Sequence, residues 1–406
     1  MSSDSLKAGE RNSAPATDYV DAQTVSHATA LRRALHRAPE MSNQETGTAQ
    51  AIVAFIREFS PDEVIVNLGG TGVAAIYRGA EPGPTVMIRS ELDALPIDEI
   101  NDFAHRSVCD HVSHKCGHDG HMAMVAGLAP LLQRRPPQRG RVVLLFQPAE
   151  ETGEGAAAVR RDPRFASIAP DYCFALHNLP GRPLHQIVVR EGTFTMASAG
   201  MSAHLEGRTS HASEPEKGVS PARALDVLLR ELPALPAAPD LSAFTLVTLT
   251  HMKLGERSFG ISPGKAEVLA TLRAEKDADL QRLSERAEAL VSTAAQKNGL
   301  LAETQWSDQF AATVNHPDAV RQIVHAAEFL GLDTHMLPEP IRWSEDFGLF
   351  TQVSTGAMLG LGAGVDQSAL HSPDYDFPDA LIPTGLGLFS RIIVQLLLYG
   401  DRKSVV

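Results

Sequence analysis

The segment VVLLFQPAEE, residues 142–151, places an apolar run directly before a polar cluster that ends in Glu150-Glu151. Such an unbroken run is typical of a strand buried on both faces of a mostly parallel sheet. Three further segments share this design: Thr85–Arg89 before Ser90-Glu91-Leu92-Asp93, Tyr172–Leu176 before His177, and Ala357–Leu361 before a glycine-rich loop leading to His371. Sites in such sheets form beyond the carboxyl ends of the strands. The sequence therefore predicts an α/β fold with one site built from these four polar ends.

The chain between Ser198 and Asp308 has a different pattern, in which alternating strands surround two amphipathic helices. The predicted strands are Gly200–Leu205, Ala243–His251, Ala266–Arg273 and Leu301–Trp306, and the predicted helices run from Ser220-Pro221 to Leu232 and from Asp277 or Asp279 to Gly299. The order β-α-β-β-α-β is that of a ferredoxin-like α+β domain. We therefore expect residues 198–308 to form a small domain inserted into a larger domain made of residues 18–197 and 309–406.

The bulk composition narrows the class of protein. The 406 residues, 43% of them hydrophobic, suit two globular domains. A net charge of −13 argues against nucleic acid or an anionic membrane as the main partner. The 3 cysteines are too sparse for a disulfide framework, and no apolar run approaches the ~18 residues of a membrane span. We expect a cytoplasmic protein with a disordered tail over residues 1–17.

The densest chemical cluster is HKCGHDGH, residues 114–121. A thiolate at Cys116 and an imidazole at His118 can both reach one metal ion if the chain between them is extended, and Gly117 permits a close approach. The residues from Met122 to Leu132 are predicted to be helical, so that a helix N-terminus would favour the thiolate. The cluster predicts a metal site at a junction between a loop and a helix.

The polar strand ends supply further candidates. One carboxylate of Glu150-Glu151 can bind metal while the other acts as general base. His177 is a metal ligand or a buried structural histidine, and the residues alone leave both open. His371 lies in a late loop, where the residues alone leave a ligand role open. Asp93 either orients a ligand imidazole or caps a turn.

Two candidates lie in the predicted small domain. His211 stands in the polar stretch Thr209–Ser213, and its surroundings indicate only a loop. Arg273 ends an alternating strand, where it is either an exposed charge or a group that binds a substrate carboxylate.

Five motifs together resemble the M20 metallopeptidase family, in particular its amidohydrolase subgroup of hippurate hydrolases, indole-acetyl-amino-acid hydrolases and aminobenzoyl-glutamate hydrolases. In chain order the motifs are Glu91-Leu92-Asp93-Ala94-Leu95-Pro96, His114–His121, Gln147–Glu151, Leu176-His177 and His371-Ser372-Pro373. The resemblance covers nearly the whole chain after the first 25 or so residues. It implies a dinuclear metallohydrolase domain with an inserted dimerisation or lid domain.

The resemblance also implies roles for individual residues. Two divalent metals would be bound by Cys116, His118, Glu151, His177 and His371, with Cys116 bridging them. Glu150 would be the general base. His211 would reach the active site of the partner subunit in a homodimer, or in a larger oligomer. The mixed sulfur, nitrogen and oxygen ligands suit manganese or zinc, and the subgroup also accepts cobalt.

Two departures from the family pattern bear on the substrate. Gly260-Ile261-Ser262-Pro263 stands where family members usually have Asn-Val-Ile-Pro, and Glu91-Leu92-Asp93 stands where they usually have Asp-Met-Asp. The first departure removes an amide that would contact a substrate carboxylate or an oxyanion.

The predicted activity is hydrolysis of a C–N bond, other than an ordinary peptide bond, in a small N-acyl or N-aroyl amino acid. The alternative is a hydrolytic deaminase that releases ammonia from a substituted aromatic amine such as an anthranilate-like compound. A binding protein without catalysis would need a broken ligand set, and every ligand of the family pattern is present here.

Overall fold

The structure is a computed structural model that describes residues 20–397. The tail predicted over residues 1–17 lies outside the described residues. None of the helices in the described part is long and apolar enough to cross a membrane. Helices are numbered in chain order: α1 (Ala22–Arg37), α2 (Thr46–Arg57), α3 (His118–Ala126), α4 (Leu128–Arg134), α5 (Gly155–Arg161), α6 (Ala222–Glu231), α7 (Asp277–Lys297), α8 (Pro317–Phe329), α9 (Gly348–Thr351) and α10 (Leu381–Leu397).

The larger sheet has eight strands in the order β1-β2-β4-β3-β5-β16-β6-β15. In chain order these strands are β1 (Glu63–Leu68), β2 (Gly72–Arg78), β3 (Glu81–Glu91), β4 (Arg139–Gln147), β5 (Tyr172–Leu179), β6 (Ile187–Val189), β15 (Thr334–Met336) and β16 (Thr355–Gly362). The central strands β4, β3, β5 and β16 are mutually parallel. They contain the four apolar runs singled out in the sequence, so the predicted α/β fold with a large, mostly parallel sheet is confirmed.

Both faces of this sheet are buried. Along β3, Val86 and Ile88 belong to a core formed with α1, α3, α8 and α10, whereas Met87 between them belongs to a second core that includes Phe350 of α9. Successive side chains of a strand point to opposite faces, so a strand with a core on each side must be apolar at every position. This burial explains why the runs are continuous rather than alternating.

Two strands extend further than the sequence pattern indicated. The sequence predicts His177 directly after its strand, but β5 continues to Leu179, because parallel pairing with β16 extends through His177↔Gly360 and Leu179↔Gly362. Glu91 likewise belongs to β3, where it pairs with Gln147 of β4. The backbone of both residues is therefore held by strand pairing rather than lying in a loop.

Residues 197–310 form a second sheet of four antiparallel strands in the order β10-β12-β8-β13. The remaining strands among residues 20–397 are β7 (Gly192–Thr195), β8 (Ala197–Glu206), β9 (Ser210–His211), β10 (Thr245–Leu254), β11 (Ile261–Ser262), β12 (Lys265–Ala274), β13 (Leu301–Phe310) and β14 (Thr313–Asn315). Helices α6 and α7 pack on one face of this sheet, and the separate core between them includes Leu205, Leu228 and Leu283. The order β8-α6-β10-β12-α7-β13 is that of a split βαβ unit. We call residues 197–310 the inserted unit; its role as a dimerisation or lid domain stays a prediction.

Two helix starts differ from the sequence expectation. Helix α7 has Lys276 at its N-cap, whereas Asp279 is buried and accepts hydrogen bonds from the amide and hydroxyl of Ser242 at 3.2 and 2.9 Å. The helix predicted from Met122 begins earlier, at His118. The segment from Gly117 onward is therefore helical, and only the part before it is loop.

Candidate metal centre

Gly117 sets the geometry of the ligand loop. It is the N-cap of α3 and has a φ of +93°, a conformation that only glycine adopts readily. A Cβ at this position would lie 2.6 Å from Oδ1 of Asn178. The tight turn directs Cys116 and His118 toward the same space from opposite sides of the glycine.

A first group of potential ligands contains Cys116, His118 and His177, whose ligand atoms all lie within 4.8 Å of one another. The Cys116 Sγ is 3.4 Å from Nε2 of His177. The Nδ1–H of His177 donates to the carbonyl oxygen of Asn178 at 2.9 Å, which leaves the Nε2 lone pair facing the cluster. This tautomer is the one that a metal-ligating histidine requires.

A second group contains Cys116, Glu151 and His371, again within 4.8 Å. Glu151 Oε2 is 3.9 Å from Nε2 of His371. His371 is exposed, whereas Cys116 is buried, so the group opens toward solvent on the histidine side. The thiol of Cys116 belongs to both groups, which is the arrangement that a bridging ligand needs.

Asp93 places two of these ligands. Its main-chain oxygen accepts a hydrogen bond from Nδ1 of His118 at 2.8 Å, and its carboxylate Oδ2 accepts from the amide of Glu151 at 2.9 Å and from the hydroxyl of Ser42 at 2.7 Å. The imidazole is therefore oriented mainly by the carbonyl of Asp93, since the carboxylate Oδ1 is 3.4 Å from Nδ1.

Buried ligand atoms without hydrogen-bond partners make these groups suitable for divalent cations. Nε2 of His118 and Oε1 of Glu151 are buried, 3.8 Å apart, and have no hydrogen-bond partner among residues 20–397. Burial, with the charges of Glu151 and Glu150, raises the pKa of the Cys116 thiol well above its ordinary value. Burial also raises the pKa of Glu151 to about 7. A cation would satisfy the free lone pairs and stabilise the thiolate and carboxylate together.

Behind the ligands lies a buried ionic network centred on Arg89. Its guanidinium contacts Glu91, and it lies 2.5 Å from Oε1 of Glu345 and 2.7 Å from Oδ1 of Asp346. Carboxylate oxygens of Glu150, Glu345 and Asp346 lie within 4.8 Å of one another. Burial and the neighbouring Glu345 raise the pKa of Glu150 well above its ordinary value. Arg89 is thus the cation that offsets this concentration of acid.

Sequence reasoning missed Arg89, Glu345 and Asp346. A signal existed for Arg89, because a charged residue inside an otherwise apolar buried strand requires a buried counter-charge. Glu345-Asp346 follows a loop rather than an apolar strand, and nothing in its local pattern distinguishes it from a solvated acidic pair.

His121 belongs to the predicted cluster, but its ring serves a structural purpose. Nδ1 is 2.8 Å from Oε2 of Glu91, and Nε2 is 2.5 Å from Oδ1 of Asn178. The Asn178 amide in turn donates to the Tyr375 hydroxyl at 2.6 Å. With both nitrogens engaged, His121 fixes the residue next to His177. Together with Glu91 and His118 it also forms a group whose ligand atoms lie within 4.8 Å of one another.

The two predicted residues of the inserted unit lie apart from the ligand groups. His211 is exposed in the short strand β9, with Nδ1 2.7 Å from the hydroxyl of Ser213. It belongs to none of the candidate ligand groups within the described residues. Arg273 donates from Nη1 to the carbonyl of Arg342 at 3.0 Å and to the Ser344 hydroxyl at 2.9 Å. Arg273 therefore contacts the loop that leads into Glu345.

Comparison with known proteins places the chain in a family. Residues 87–395 match the family described as Peptidase family M20/M25/M40, and the chain belongs to it. Among its relatives, N-acetylcysteine deacetylase of Bacillus subtilis (strain 168) is 29% identical over 371 residues, which are 90% of this chain and 96% of that protein. Hippurate hydrolase of Campylobacter jejuni is 27% identical over 372 residues, again 90% of this chain and 96% of the relative.

Solved structures agree with this assignment. The YXEP protein of Bacillus subtilis, described as a dinuclear metal binding peptidase from the M20 family, has a TM-score of 0.78 and 26% identity, covering 93% of this chain and 99% of that one. A putative aminohydrolase from methicillin-resistant Staphylococcus aureus has a TM-score of 0.82 at 24% identity, covering 92% and 97% of the two chains, which shows the shared fold. The predicted family and the predicted class, a metal-dependent hydrolase of C–N bonds, are confirmed. The individual site residues stay predictions.

Proposed function

We propose that this chain is a two-metal amidohydrolase that cleaves the C–N bond of a small N-acyl or N-aroyl amino acid. The observation that carries the proposal is the position of Cys116, whose sulfur belongs to two candidate ligand groups at once. One thiolate shared between two groups accounts for a dinuclear site.

Cys116, His118 and His177 would hold one cation, and Cys116, Glu151 and His371 would hold the other. Manganese and zinc suit this mixed set of ligands, and cobalt is also compatible with it. When bound, the metals lower the pKa of a water molecule and polarise the scissile carbonyl.

Glu150 is the proposed general base. Its carboxylate Oε2 lies 3.8 Å from Nε2 of His118, at the edge of the ligand cluster, and it is buried among Glu345 and Asp346. A carboxylate in acidic, desolvated surroundings has a raised pKa and accepts a proton more readily. Glu150 would take the proton of the attacking water and pass it to the leaving nitrogen.

His211 and Arg273 are proposed to complete the site. His211 is exposed and outside its own chain's ligand groups, which supports a role at the site of the partner subunit in a homodimer, where it would stabilise the oxyanion. Arg273 has no carboxylate partner among residues 20–397 and supports recognition of a substrate carboxylate. Burial lowers the pKa of Arg273, and a bound carboxylate would offset that cost.

The alternative reaction, hydrolytic release of ammonia from an anthranilate-like aromatic amine, uses the same site. The observation that favours it is Gly260, which lies in open space: a side chain at this position would have no atom within 4 Å of its Cβ. No side-chain amide is available there to bind the carboxylate of an acylated amino acid.

A substrate panel separates the two reactions. The manganese-loaded protein is given hippurate, aliphatic N-acetyl-amino acids and anthranilate-like amines, and the products are identified by mass spectrometry. The proposal predicts a free amino acid and a carboxylic acid from the acylated substrates, with Glu150→Gln as the inactive control. Ammonia released from the aromatic amines alone would support the alternative, and no product from any of them would contradict both.

A further inference from the structure

Trp343 lies directly against a proposed metal ligand. The centroid of its indole is 4.9 Å from that of the His177 ring, and the two planes are inclined by 50°. His177 has a second aromatic neighbour, His121, also at 4.9 Å. His121 is buried whereas Trp343 is half-buried, so Trp343 is the neighbour that adjoins solvent. Trp343 is therefore the aromatic neighbour of His177 that a bound molecule can contact from the solvent side.

The backbone on both sides of Trp343 is fixed. Its carbonyl oxygen accepts a hydrogen bond from the amide of Met196 at 3.2 Å. The flanking residues Arg342 and Ser344 are held by Arg273 of β12, and Glu345, two residues on, is paired with Arg89. The indole is thus presented on a segment tied both to the inserted unit and to the larger sheet.

Within residues 20–397, the indole N–H of Trp343 donates no hydrogen bond to another residue. The other tryptophan, Trp306, donates its Nε1–H to Glu288 at 2.5 Å. A half-buried indole with a free donor, next to a ligand cluster, presents an apolar face and a polar edge to whatever binds there.

We propose that Trp343 forms one wall of the substrate's acyl pocket and makes the enzyme selective for a flat aromatic acyl group over a small aliphatic one. The inference rests on the proposed amidohydrolase function and adds the class of acyl group. A planar ring packs on an indole in an offset or edge-to-face arrangement that an acetyl group cannot make. The fixed backbone means that this contact needs no ordering of the loop when the substrate binds.

The first test compares N-benzoylglycine with N-acetylglycine, which share the leaving amine. Trp343→Ala should reduce kcat/KM for the benzoyl substrate by roughly 10- to 100-fold while affecting the acetyl substrate far less. Trp343→Phe should retain most of the preference, and Trp306→Phe should leave both values unchanged. An equal fall for both substrates would mean that Trp343 only supports His177, and would overturn the proposal, as would an unchanged ratio.

The second test does not depend on turnover. The sequence contains 2 tryptophans, so the Trp306→Phe variant emits from Trp343 alone. In the metal-loaded variant, benzoate should change this emission in a saturable way, whereas acetate should not. Benzoate that inhibits the enzyme without changing the emission would overturn the proposal. If benzoate changes the emission but neither acylated glycine is hydrolysed, the proposed contact of Trp343 with an aromatic acyl group is supported and the proposed reaction is contradicted.

Discussion

At the residue scale, Cys116 behaves differently from the sequence expectation. The sequence predicts that a helix N-terminus favours the thiolate, and α3 does begin directly after Gly117. Burial and the charges of Glu151 and Glu150 outweigh that effect and raise the pKa of the thiol. We therefore expect the thiolate to form together with cation binding rather than before it.

Metal affinity should consequently rise with pH. Burial raises the pKa of Glu151 to about 7 and raises that of Cys116 well above its ordinary value. A cation must therefore displace protons from groups that are protonated to a greater extent as the pH falls. Titration against a competing chelator between about pH 6 and 8 should show tighter binding at the higher pH, with protons released into a weak buffer. Affinity that stays constant over this range would contradict the assignment of these two ligands.

Substitution of Glu150 and of Glu151 should have different effects on activity and metal content. Glu150→Gln should retain its metals and lose roughly 10²- to 10⁴-fold in kcat, the usual range when a general base is removed. Glu151→Gln should lose metal, because Glu151 is the carboxylate that approaches both His118 and His371. Metal content by elemental analysis decides the matter, and equal loss of metal in both variants would refute the division of roles.

At the element scale, the start of α3 depends on Gly117. Gly117→Ala should destabilise the fold by about 1–3 kcal/mol through backbone strain, with a further loss from the contact with Asn178 and reduced metal content. Gly181→Ala is the matched control, since Gly181 has a φ of +80° but open space around it. Urea unfolding measures the free energy of unfolding of both variants. Equal destabilisation of the two variants, with metal binding intact, would show that the Asn178 contact has no role.

The sequence predicted the central strands because burial on two faces leaves a purely local mark, an unbroken apolar run. It missed the ends of β3 and β5, since Glu91 and His177 are polar and yet still paired. Pairing depends on the neighbouring strand, which comes from a distant part of the chain. Local polarity therefore ended the predicted strands too early.

The candidate site was predicted to a similar extent. Cys116, His118, Glu150-Glu151, His177 and His371 carry local motifs, and the structure brings them into overlapping candidate ligand groups. Trp343, Glu345 and Asp346 carry none, because their importance comes from a contact with His177 or Arg89, far away in the sequence. Only the folded chain reveals such partners.

At the scale of the whole molecule, the inserted unit has two edge strands, β10 and β13, and helices on one face only. Unpaired edge strands favour association. Pairing of two inserted units around a two-fold axis would cover an edge strand of each copy with a single self-complementary contact. In such a homodimer His211 would serve the partner's metals. The cytoplasmic location stays a prediction.

Complementation tests this shared site. Inactive His211→Ala and Glu150→Gln chains are mixed under conditions that exchange subunits, and exchange is followed by mass-labelled chains. Partial recovery of activity is expected, because some heterodimers hold one site in which both residues are intact. Absence of recovery despite complete exchange would show that His211 acts within its own chain or has no catalytic role.

The most direct measurement counts metal ions against activity. Protein that has been stripped of metal with a chelator is titrated with manganese, zinc or cobalt. Bound metal and turnover of an acylated amino acid are recorded together. A two-metal site predicts saturation at two ions per chain, with full activity only at the second, and fewer ions in Cys116→Ser, which lacks the shared thiolate. Full activity in protein shown by elemental analysis to be metal-free, or saturation at one ion per chain, would contradict the two-metal account.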